Sequence, residues 1–372
     1  MENTSIMKRV LKLAAKASGM TSPNPMVGAV IVKDSKIIAE DYHRKPGTPH
    51  AEALVIQTAG EKAKGGTLYV NLEPCCHTEK RTPPCTKAII NAGIKKVVIG
   101  MKDPNPKVSG KGIEELEKAG IKVISGILEE GAKRLNEAYI KYISTRIPFV
   151  TLKVAMTLDG KIATPEGESK WITGEKAREK VRQLRGSVDA IMTAIGTVKA
   201  DNPQLTVRGQ GFKGSRVQGV KSPKRIVIDP HFEIPIDARI LETPPETIVV
   251  TRKSEVRSQK SEEKMKILSD KGVQIIEYKD EKLDLQWLME KLGRMEITSL
   301  LVEGGSSLNA HVLEDGVVDK VMFFIAPKII GGGESFSAVG GKSFRKLADA
   351  YQLKGMKVKR VGEDILVEGY IR

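Results

Sequence analysis

Leu72-Glu73-Pro74-Cys75-Cys76-His77-Thr78-Glu79-Lys80-Arg81-Thr82-Pro83-Pro84-Cys85 holds every cysteine of this 372-residue chain. Read with His50-Ala51-Glu52 upstream, it offers one imidazole and two thiolates, from His50, Cys75 and Cys85. That is the donor set of a three-ligand tetrahedral zinc site whose fourth position is left to water. A glutamate two residues beyond the histidine is placed to move protons, not to bind metal. A closed structural site needs four protein ligands. No distant cysteine is available for that, and His77 is the nearby alternative.

H-x-E followed by P-C opens the signature of hydrolytic zinc deaminases acting on pyrimidine-like rings. Zinc lowers the pKa of its water from ~15.7 to ~7. In such chemistry Glu52 takes the water's proton, protonates a ring nitrogen and later protonates the departing amine.

The length allows two domains of ordinary size, and 40% hydrophobic residues suffice for their cores. No apolar run is long enough for a membrane span. Lys8, Arg9, Lys12 and Lys16 interrupt the N-terminal apolar positions, so the start reads as an amphipathic helix packed by Ile6, Val10, Leu13 and Ala17, not as a signal peptide. The clustered cysteines point to metal use in a reducing, cytoplasmic setting. The net charge of +15 raises nucleic acid as a partner, but 46 acidic residues are interspersed and aromatics make up only 4%. A lysine-rich surface with no nucleic-acid or membrane partner fits better, with a few cations serving a phosphorylated ligand.

Outward from the cysteines, the chain reads as an α/β layered protein. Met26–Val32 is a near-continuous apolar run, as in a strand covered on both faces. Ile37–Ala39, Thr67–Leu72, Val97–Met101 and Val123–Ile127 are further strands. His50–Thr58, Cys85–Ala92 and Glu129–Tyr142 are helices, the last closing the first domain. Ser144-Thr145-Arg146-Ile147-Pro148 marks a boundary, giving domains 1–145 and 146–372. Beyond it, strands are expected at Phe149–Met156, Ala190–Thr193, Arg225–Ile228, Thr247–Val250, Gln274–Ile276, Ser299–Val302 and Val321–Ala326. Lys253–Asp270 reads as a charged surface helix, and Met356–Arg372 as antiparallel edge strands.

Leu300-Leu301-Val302-Glu303-Gly304-Gly305-Ser306-Ser307 reads as a strand, a glycine turn and a helix start. Such a turn lets phosphates reach backbone N–H groups, though a tight turn without a ligand has the same pattern. Gly331-Gly332-Gly333 is a second glycine group, possible as a plain loop.

Taken together, the motifs resemble the bifunctional riboflavin-biosynthesis deaminase/reductase family, RibD. The first half contributes Asn24-Pro25-Met26-Val27-Gly28-Ala29-Val30, the zinc-type motifs and Asp103-Pro104-Asn105-Pro106. The second contributes Thr157-Leu158-Asp159-Gly160-Lys161, Ser169-Lys170-Trp171-Ile172-Thr173, Gly196-Thr197-Val198, Asp201-Asn202-Pro203-Gln204-Leu205-Thr206-Val207-Arg208 and Val302-Glu303-Gly304-Gly305. They follow the family's order over nearly the whole chain.

The resemblance implies a cytidine-deaminase-like α/β/α sandwich followed by a dihydrofolate-reductase-like α/β domain. It implies zinc-dependent hydrolysis of the 2-amino group of 2,5-diamino-6-(5-phosphoribosylamino)pyrimidin-4-one, with one Zn2+ per chain and Glu52 catalytic. NADPH reduction of 5-amino-6-(5-phosphoribosylamino)uracil to the ribitylamino product would follow, with Lys153 helping to open the ribose. Carried over by motif, Ala155, Trp171, Thr197, Asp201, Gly305, Ser306 and Ser307 would contact the cofactor. Asn24, Arg81, Asp103, Asn105, Ser169, Arg185, Leu205, Arg208 and Glu303 would contact substrate. Trp171 also fits ordinary packing and Asp201 a turn cap, while Arg185 and Arg208 suit a phosphate. Thr251, Arg252 and Lys253 are candidates for reading the 2′-phosphate. A homo-oligomer, a dimer for preference, is implied.

One departure stands out. Nine residues separate Cys75 from Cys85, where the family commonly has eight. The basic substrate contact then falls on Arg81 or Lys80, and Arg81 keeps its spacing to Thr82-Pro83-Pro84. Cys75, directly after Pro74, matches the family's ligand, leaving Cys76 to pack as a small apolar side chain. The alternative for the whole chain is a nucleotide or RNA deaminase fused to a non-catalytic nucleotide-binding domain, although the C-x-x-C of RNA-editing deaminases is absent.

Overall fold

A computed structural model describes residues 2–77, 83–207, 222–242, 245–342 and 344–371. The chain divides into two compact units, Met1–Arg146 and Ile147–Arg372.

The first unit runs α1 (Asn3–Ala15), β1 (Gly28–Lys33), β2 (Lys36–Tyr42), α2 (Ala51–Ala59), β3 (Thr67–Leu72), α3 (Cys85–Asn91), β4 (Lys96–Met101), α4 (Lys111–Lys118), β5 (Lys122–Ser125), α5 (Glu129–Leu135) and α6 (Glu137–Thr145). Its sheet has the order β2-β1-β3-β4-β5. β1 is antiparallel to β2 and β3, and β3, β4 and β5 are parallel. Strand alternation sends Ala29, Ile31, Leu68, Val70, Val97 and Ile99 to one face, where α2 and α3 supply Val55 and Ile89. Val30, Val32, Tyr69 and Val98 go to the other face and meet Ile6, Met7, Val10 and Leu13 of α1. β1 is therefore covered on both sides, which is why its sequence is apolar from Gly28 to Val32.

The expected closing helix Glu129–Tyr142 is two helices. At Asn136 the backbone leaves helical geometry (φ −110°, ψ 23°). The Asn136 side chain accepts from the Met26 amide (2.8 Å) and donates to the Met26 carbonyl (3.1 Å). A buried amide anchored to a distant strand entrance competes with helix continuation.

The second unit comprises β6 (Phe149–Thr157), β7 (Lys161–Ala163), α7 (Glu175–Arg185), β8 (Ala190–Ala194), α8 (Ile195–Asp201), β9 (Lys224–Ile228), β10 (Thr247–Arg252), α9 (Gln259–Asp270), β11 (Gln274–Tyr278), α10 (Leu285–Arg294), β12 (Ser299–Val302), α11 (Ser306–Glu314), β13 (Lys320–Ala326), β14 (Phe336–Ser337), β15 (Leu353–Val361) and β16 (Asp364–Ile371). The main sheet has the order β11-β10-β9-β8-β12-β6-β13-β16-β15 among the described residues. It is parallel from β11 to β13. The β15–β16 hairpin joins antiparallel to β13, with β15 at the edge and β16 inside it. The C-terminal stretch thus holds one edge strand, not two. Val150, Leu152, Met192, Leu300 and Val302 pack on one face with α10 and α11. Ile191, Val227, Val249 and Leu301 pack on the other. Each such fully buried aliphatic side chain contributes about 1.5–3 kcal/mol. The charged Lys253–Asp270 segment is a short 3-10 turn at Lys253–Val256 followed by α9, capped by Ser258.

The chain steps outward through β8, β9, β10 and β11, then returns to insert β12 between β8 and β6. That reversal opens a crevice at the carboxyl ends of β8 and β12, where open α/β sheets bind ligands. Among the described residues no helix is long and apolar enough to cross a membrane.

Candidate active sites

In the first unit, three elements bring three donors together. His50 is the N-cap of α2, Cys85 is the first residue of α3, and Cys75 lies just past β3. Both helix N-termini carry partial positive charge, which favours thiolate over thiol. His50 Nδ1 lies 3.6 Å from Cys75 Sγ and 3.3 Å from Cys85 Sγ. A tetrahedral centre with ~2.0–2.1 Å Zn–N and ~2.3 Å Zn–S bonds sets N and S roughly 3.5 Å apart, so the donors fit zinc. Among the described residues this trio is the one group of His, Cys, Asp or Glu so placed, and His77 is not part of it. Cys76 turns its Sγ towards the Lys107 carbonyl, 4.0 Å away.

Glu52 sits in the first turn of α2 and is 3% exposed. Burial lifts its carboxyl pKa, with His50 opposing. Its Oε2 is buried and takes no hydrogen bond from any described residue. A carboxylate oxygen left unpaired in such a place marks a position that a ligand completes.

His43, which sequence reading passed over, stacks edge-on against His50 with ring centroids 5.2 Å apart. Its Nε2 meets Asn24 Nδ2 at 3.3 Å and its Nδ1 meets the Pro49 carbonyl at 3.2 Å. Burial lowers its pKa. A neutral ring protonated on Nδ1 satisfies both partners, donating to Pro49 and accepting from Asn24. Asn24 is thus held beside the metal-type cluster.

Asp103 and Asn105 lie on the loop after β4, whose neighbour β3 leads to Cys75. Glu73 of the L-E-P-C motif fixes this loop, accepting the backbone N–H groups of Asp103 (3.2 Å), Gly110 (3.0 Å) and Ile113 (3.2 Å). The first turn of α4, which follows this loop, passes so close to Pro74 that a Cβ on Gly112 would sit 2.2 Å from the Pro74 carbonyl. Tyr139 of α6 donates its hydroxyl to Asp103 Oδ1 at 2.9 Å. Burial raises the Asp103 carboxyl to about 6. Arg81 and Lys80 lie outside the described residues.

In the second unit, a cavity of about 1230 Å³ opens at the β8–β12 crevice. Lys153 and Ala155 reach it from β6, Arg185 from α7, and Ser169, Trp171 and Leu205 from loops. Thr197 and Asp201 border it from α8, and Glu303, Gly305, Ser306 and Ser307 from the β12–α11 turn. Arg208 lies outside the described residues. Thr251, Arg252 and Lys253 are not among the residues around the cavity. Arg252 instead bonds the Glu281 carbonyl at 3.0 Å, and Lys253 pairs with Glu277 at 3.9 Å.

Glu303 is the electrostatic centre of this cavity. Arg185 donates Nε to its Oε1 (2.6 Å) and Nη2 to its Oε2 (3.0 Å), and Lys153 Nζ approaches Oε2 at 2.8 Å. Burial alone would raise the Glu303 carboxyl, but Arg185 and Lys153 outweigh it and hold the group well below the usual carboxylate range. Asp201 does more than cap a turn. It takes the Ser169 hydroxyl (3.1 Å) and pairs with Lys170 (3.3 Å), tying down the loop that carries Trp171. Trp171 is 63% exposed, with the Arg178 guanidinium 4.6 Å over its ring, so it is not core packing.

The two glycine groups differ. A Cβ on Gly304 would crowd Leu308 (2.9 Å) and Asn309 (3.0 Å), so this glycine serves helix packing. A Cβ on Gly305 would meet only Thr197 Oγ1 at 3.6 Å, so its backbone lies open at the start of α11. A volume of this size, with the exposed first turn of α11 at its wall, suits a dinucleotide. Gly331-Gly332-Gly333 does not border the cavity. Its loop is fastened by Asp159, which accepts the Gly331 amide at 2.7 Å.

Residues 148–367 match the RibD C-terminal domain, and residues 1–101 match the cytidine and deoxycytidylate deaminase zinc-binding region. The riboflavin biosynthesis protein RibD of Actinobacillus pleuropneumoniae is 44% identical over 99% of this chain and 95% of its own length. That of Escherichia coli K12 is 41% identical over 98% of both. The solved structure of Acinetobacter baumannii RibD, form 1, superposes with a TM-score of 0.87 at 37% identity, covering 100% of this chain and 99% of that one. That of a diaminohydroxyphosphoribosylaminopyrimidine deaminase/5-amino-6-(5-phosphoribosylamino)uracil reductase from Thermotoga maritima does so with a TM-score of 0.84 at 38% identity and the same coverage. A zinc-type donor set in a deaminase region, a dinucleotide-sized cavity in a reductase domain and full-length relatives converge: the chain belongs to the RibD family of bifunctional deaminase/reductases of riboflavin biosynthesis.

Proposed function

We propose that residues 1–145 hydrolyse the 2-amino group of 2,5-diamino-6-(5-phosphoribosylamino)pyrimidin-4-one. Residues 146–372 then reduce 5-amino-6-(5-phosphoribosylamino)uracil with NADPH to the ribitylamino product. The observation that carries the first half is the unpaired, buried Glu52 Oε2 beside the His50, Cys75 and Cys85 donors. Those three residues hold zinc, which when bound supplies a water acidic enough to ionise near neutral pH. Glu52 accepts the first water proton at Oε2 and passes it to the ring nitrogen. It then takes the proton of the hydroxyl now on the ring carbon and gives it to the amine, so that the C–N bond breaks, the carbonyl forms and ammonia leaves. Asn24, Asp103 and Asn105 hold the pyrimidine, with Arg81 assigned to substrate by motif.

In the second half, Gly305, Ser306 and Ser307 receive the cofactor phosphates on the first turn of α11, and Ala155, Trp171, Thr197 and Asp201 flank the rest. NADPH supplies the hydride. Lys153 Nζ donates a proton as the ribose opens, and Glu303 faces the ribosyl hydroxyls. Ser169, Leu205, Arg185 and Arg208 take the remainder of the phosphorylated substrate, arginine being suited to phosphate. The protein acts in the cytoplasm as a homodimer. Support for the dimer comes from β15 and β16, where Met356, Val358 and Ile365 are exposed on one face of the hairpin.

The test is direct. The protein is incubated with zinc, NADPH and the diaminopyrimidine while ammonia release and loss of NADPH absorbance are followed. Ammonia release followed by NADPH oxidation is the expected result. Ammonia without NADPH oxidation would leave only a deaminase fused to a binding domain.

A further inference from the structure

Asp103 is 5% exposed, and its two carboxylate oxygens are treated unequally. Oδ1 accepts the Asn105 backbone N–H at 2.9 Å and the Tyr139 hydroxyl at 2.9 Å. Oδ2 takes no hydrogen bond from any described residue, yet it is not among the fully enclosed, unpartnered atoms. It therefore keeps an open side. The backbone beneath is fixed as well, because the Asp103 amide is bound to Glu73. Of these restraints, only the Tyr139 hydroxyl reaches the carboxylate from another element, α6, 36 residues further along the chain.

We propose that Tyr139 is a positioning residue of the deaminase. With the Asn105 amide it saturates Oδ1 of Asp103, so that Oδ2 alone is presented to an N–H or O–H donor of the pyrimidine substrate. A carboxylate free to rotate about its last bond offers either oxygen in many directions. Two donors on one oxygen select one orientation before substrate arrives, and the ordering cost is met in folding instead of binding. Burial and the Asp103 charge both raise the Tyr139 pKa, so the phenol stays protonated and remains a donor. Tyr139 has no other role in the proposed chemistry, and its ring is only partly buried against the core. Removing the hydroxyl alone therefore isolates its effect.

The proposal rests on the assignment of Asp103 to substrate, and the experiment separates the two. Deamination is measured with the zinc-loaded full chain for wild type, Tyr139→Phe, Asp103→Ala and the double variant, with zinc content and melting temperature recorded for each. Tyr139→Phe should raise KM for the diaminopyrimidine about tenfold, the worth of one hydrogen bond to a charged group, with kcat changed less than about twofold. Zinc stoichiometry should stay at the wild-type value, and the melting temperature should fall by no more than about a few degrees. In the Asp103→Ala background, Tyr139→Phe should add nothing, because its only route of action has gone. If Asp103→Ala impairs deamination while Tyr139→Phe is indistinguishable from wild type, the positioning role is overturned and the assignment of Asp103 survives. If Asp103→Ala is itself harmless, the assignment of Asp103 falls and the proposal with it. An undiminished effect of Tyr139→Phe in the Asp103→Ala background, or loss of zinc in Tyr139→Phe alone, would also overturn it, showing that the hydroxyl acts elsewhere.

Discussion

Arg185 grips Glu303 with two parallel N–H donors, Nε to Oε1 at 2.6 Å and Nη2 to Oε2 at 3.0 Å. Lys153 completes the cluster from β6, so two cations share one buried carboxylate. The sequence assigns Arg185 to a substrate phosphate and Glu303 to the ribose. The structure adds that the two residues hold each other. One edge of the guanidinium is engaged by Glu303, and Nη1 takes no hydrogen-bond partner among the described residues.

Glu303→Gln should therefore do two things. It removes the counter-charge from Arg185 and Lys153, which costs about 3 kcal/mol for a pair this buried. It should also lower reductase kcat/KM with little change in NADPH affinity, because the cofactor phosphates are assigned to Gly305 and Ser306, away from Glu303. A fall in NADPH affinity as large as the fall in turnover would place Glu303 on the cofactor.

Acid stability follows from the same cluster. Glu303 is held below its ordinary carboxylate range. Its contribution is fully present above the unfolded pKa, near 4.3, and is lost as pH falls through the lower folded value. Melting temperatures between pH 3 and 7 should decline on the acid side in the wild type. In Glu303→Gln that limb should be shallower. An equal slope in both proteins would assign acid sensitivity to other carboxylates.

Independence of the two chemistries is a third expectation. The zinc donors and Glu52 precede residue 86, and the residues around the second cavity follow residue 152. Glu52→Gln should abolish ammonia release and leave NADPH oxidation with the deaminated substrate intact. Loss of both activities in a folded variant would sink the two-site reading.

Gly305→Val separates a ligand turn from a structural one. A Cβ there has only Thr197 Oγ1 within 4 Å, so the chain tolerates it, whereas Gly304 is crowded by Leu308 and Asn309. Calorimetry should show NADPH binding weakened at least about tenfold by the side chain standing over the first turn of α11. Deamination should be unaffected. Unchanged NADPH affinity would make the turn a connection only.

What the sequence made legible was local. The β12–Gly–α11 turn, the helices opening at His50 and Cys85, and the covered strand β1 each carry their signal within a dozen residues. What it hid was non-local. Asn136 breaks a helix because its side chain is spent on Met26, 110 residues earlier. His43 reaches the site by packing against His50, and Tyr139 by a bond to Asp103 across 36 residues. A histidine at a strand end and a tyrosine in a helix carry no local mark of such partners. The L-E-P-C glutamate was visible as part of a motif, but its work of fastening the loop at Asp103 and the start of α4 at Ile113 was not.

The adjacent thiols Cys75 and Cys76 provide the sharpest test of the ligand register. Consecutive side chains diverge, so both cannot serve one tetrahedral ion with good geometry. Cys75 Sγ lies 3.6 Å from His50 Nδ1 and accepts the Cys85 amide at 3.5 Å. Cys76 Sγ faces the Lys107 carbonyl instead, and burial raises its thiol pKa, which disfavours the thiolate that metal needs. Cys75→Ser should lose zinc and deamination together, because a neutral hydroxyl is a poor substitute for thiolate. Cys76→Ser should retain one zinc per chain, measured by atomic emission, and near-normal ammonia release. Zinc at full stoichiometry in Cys75→Ser, or its loss in Cys76→Ser, would show that the ninth residue between Cys75 and Cys85 has moved the ligand by one position.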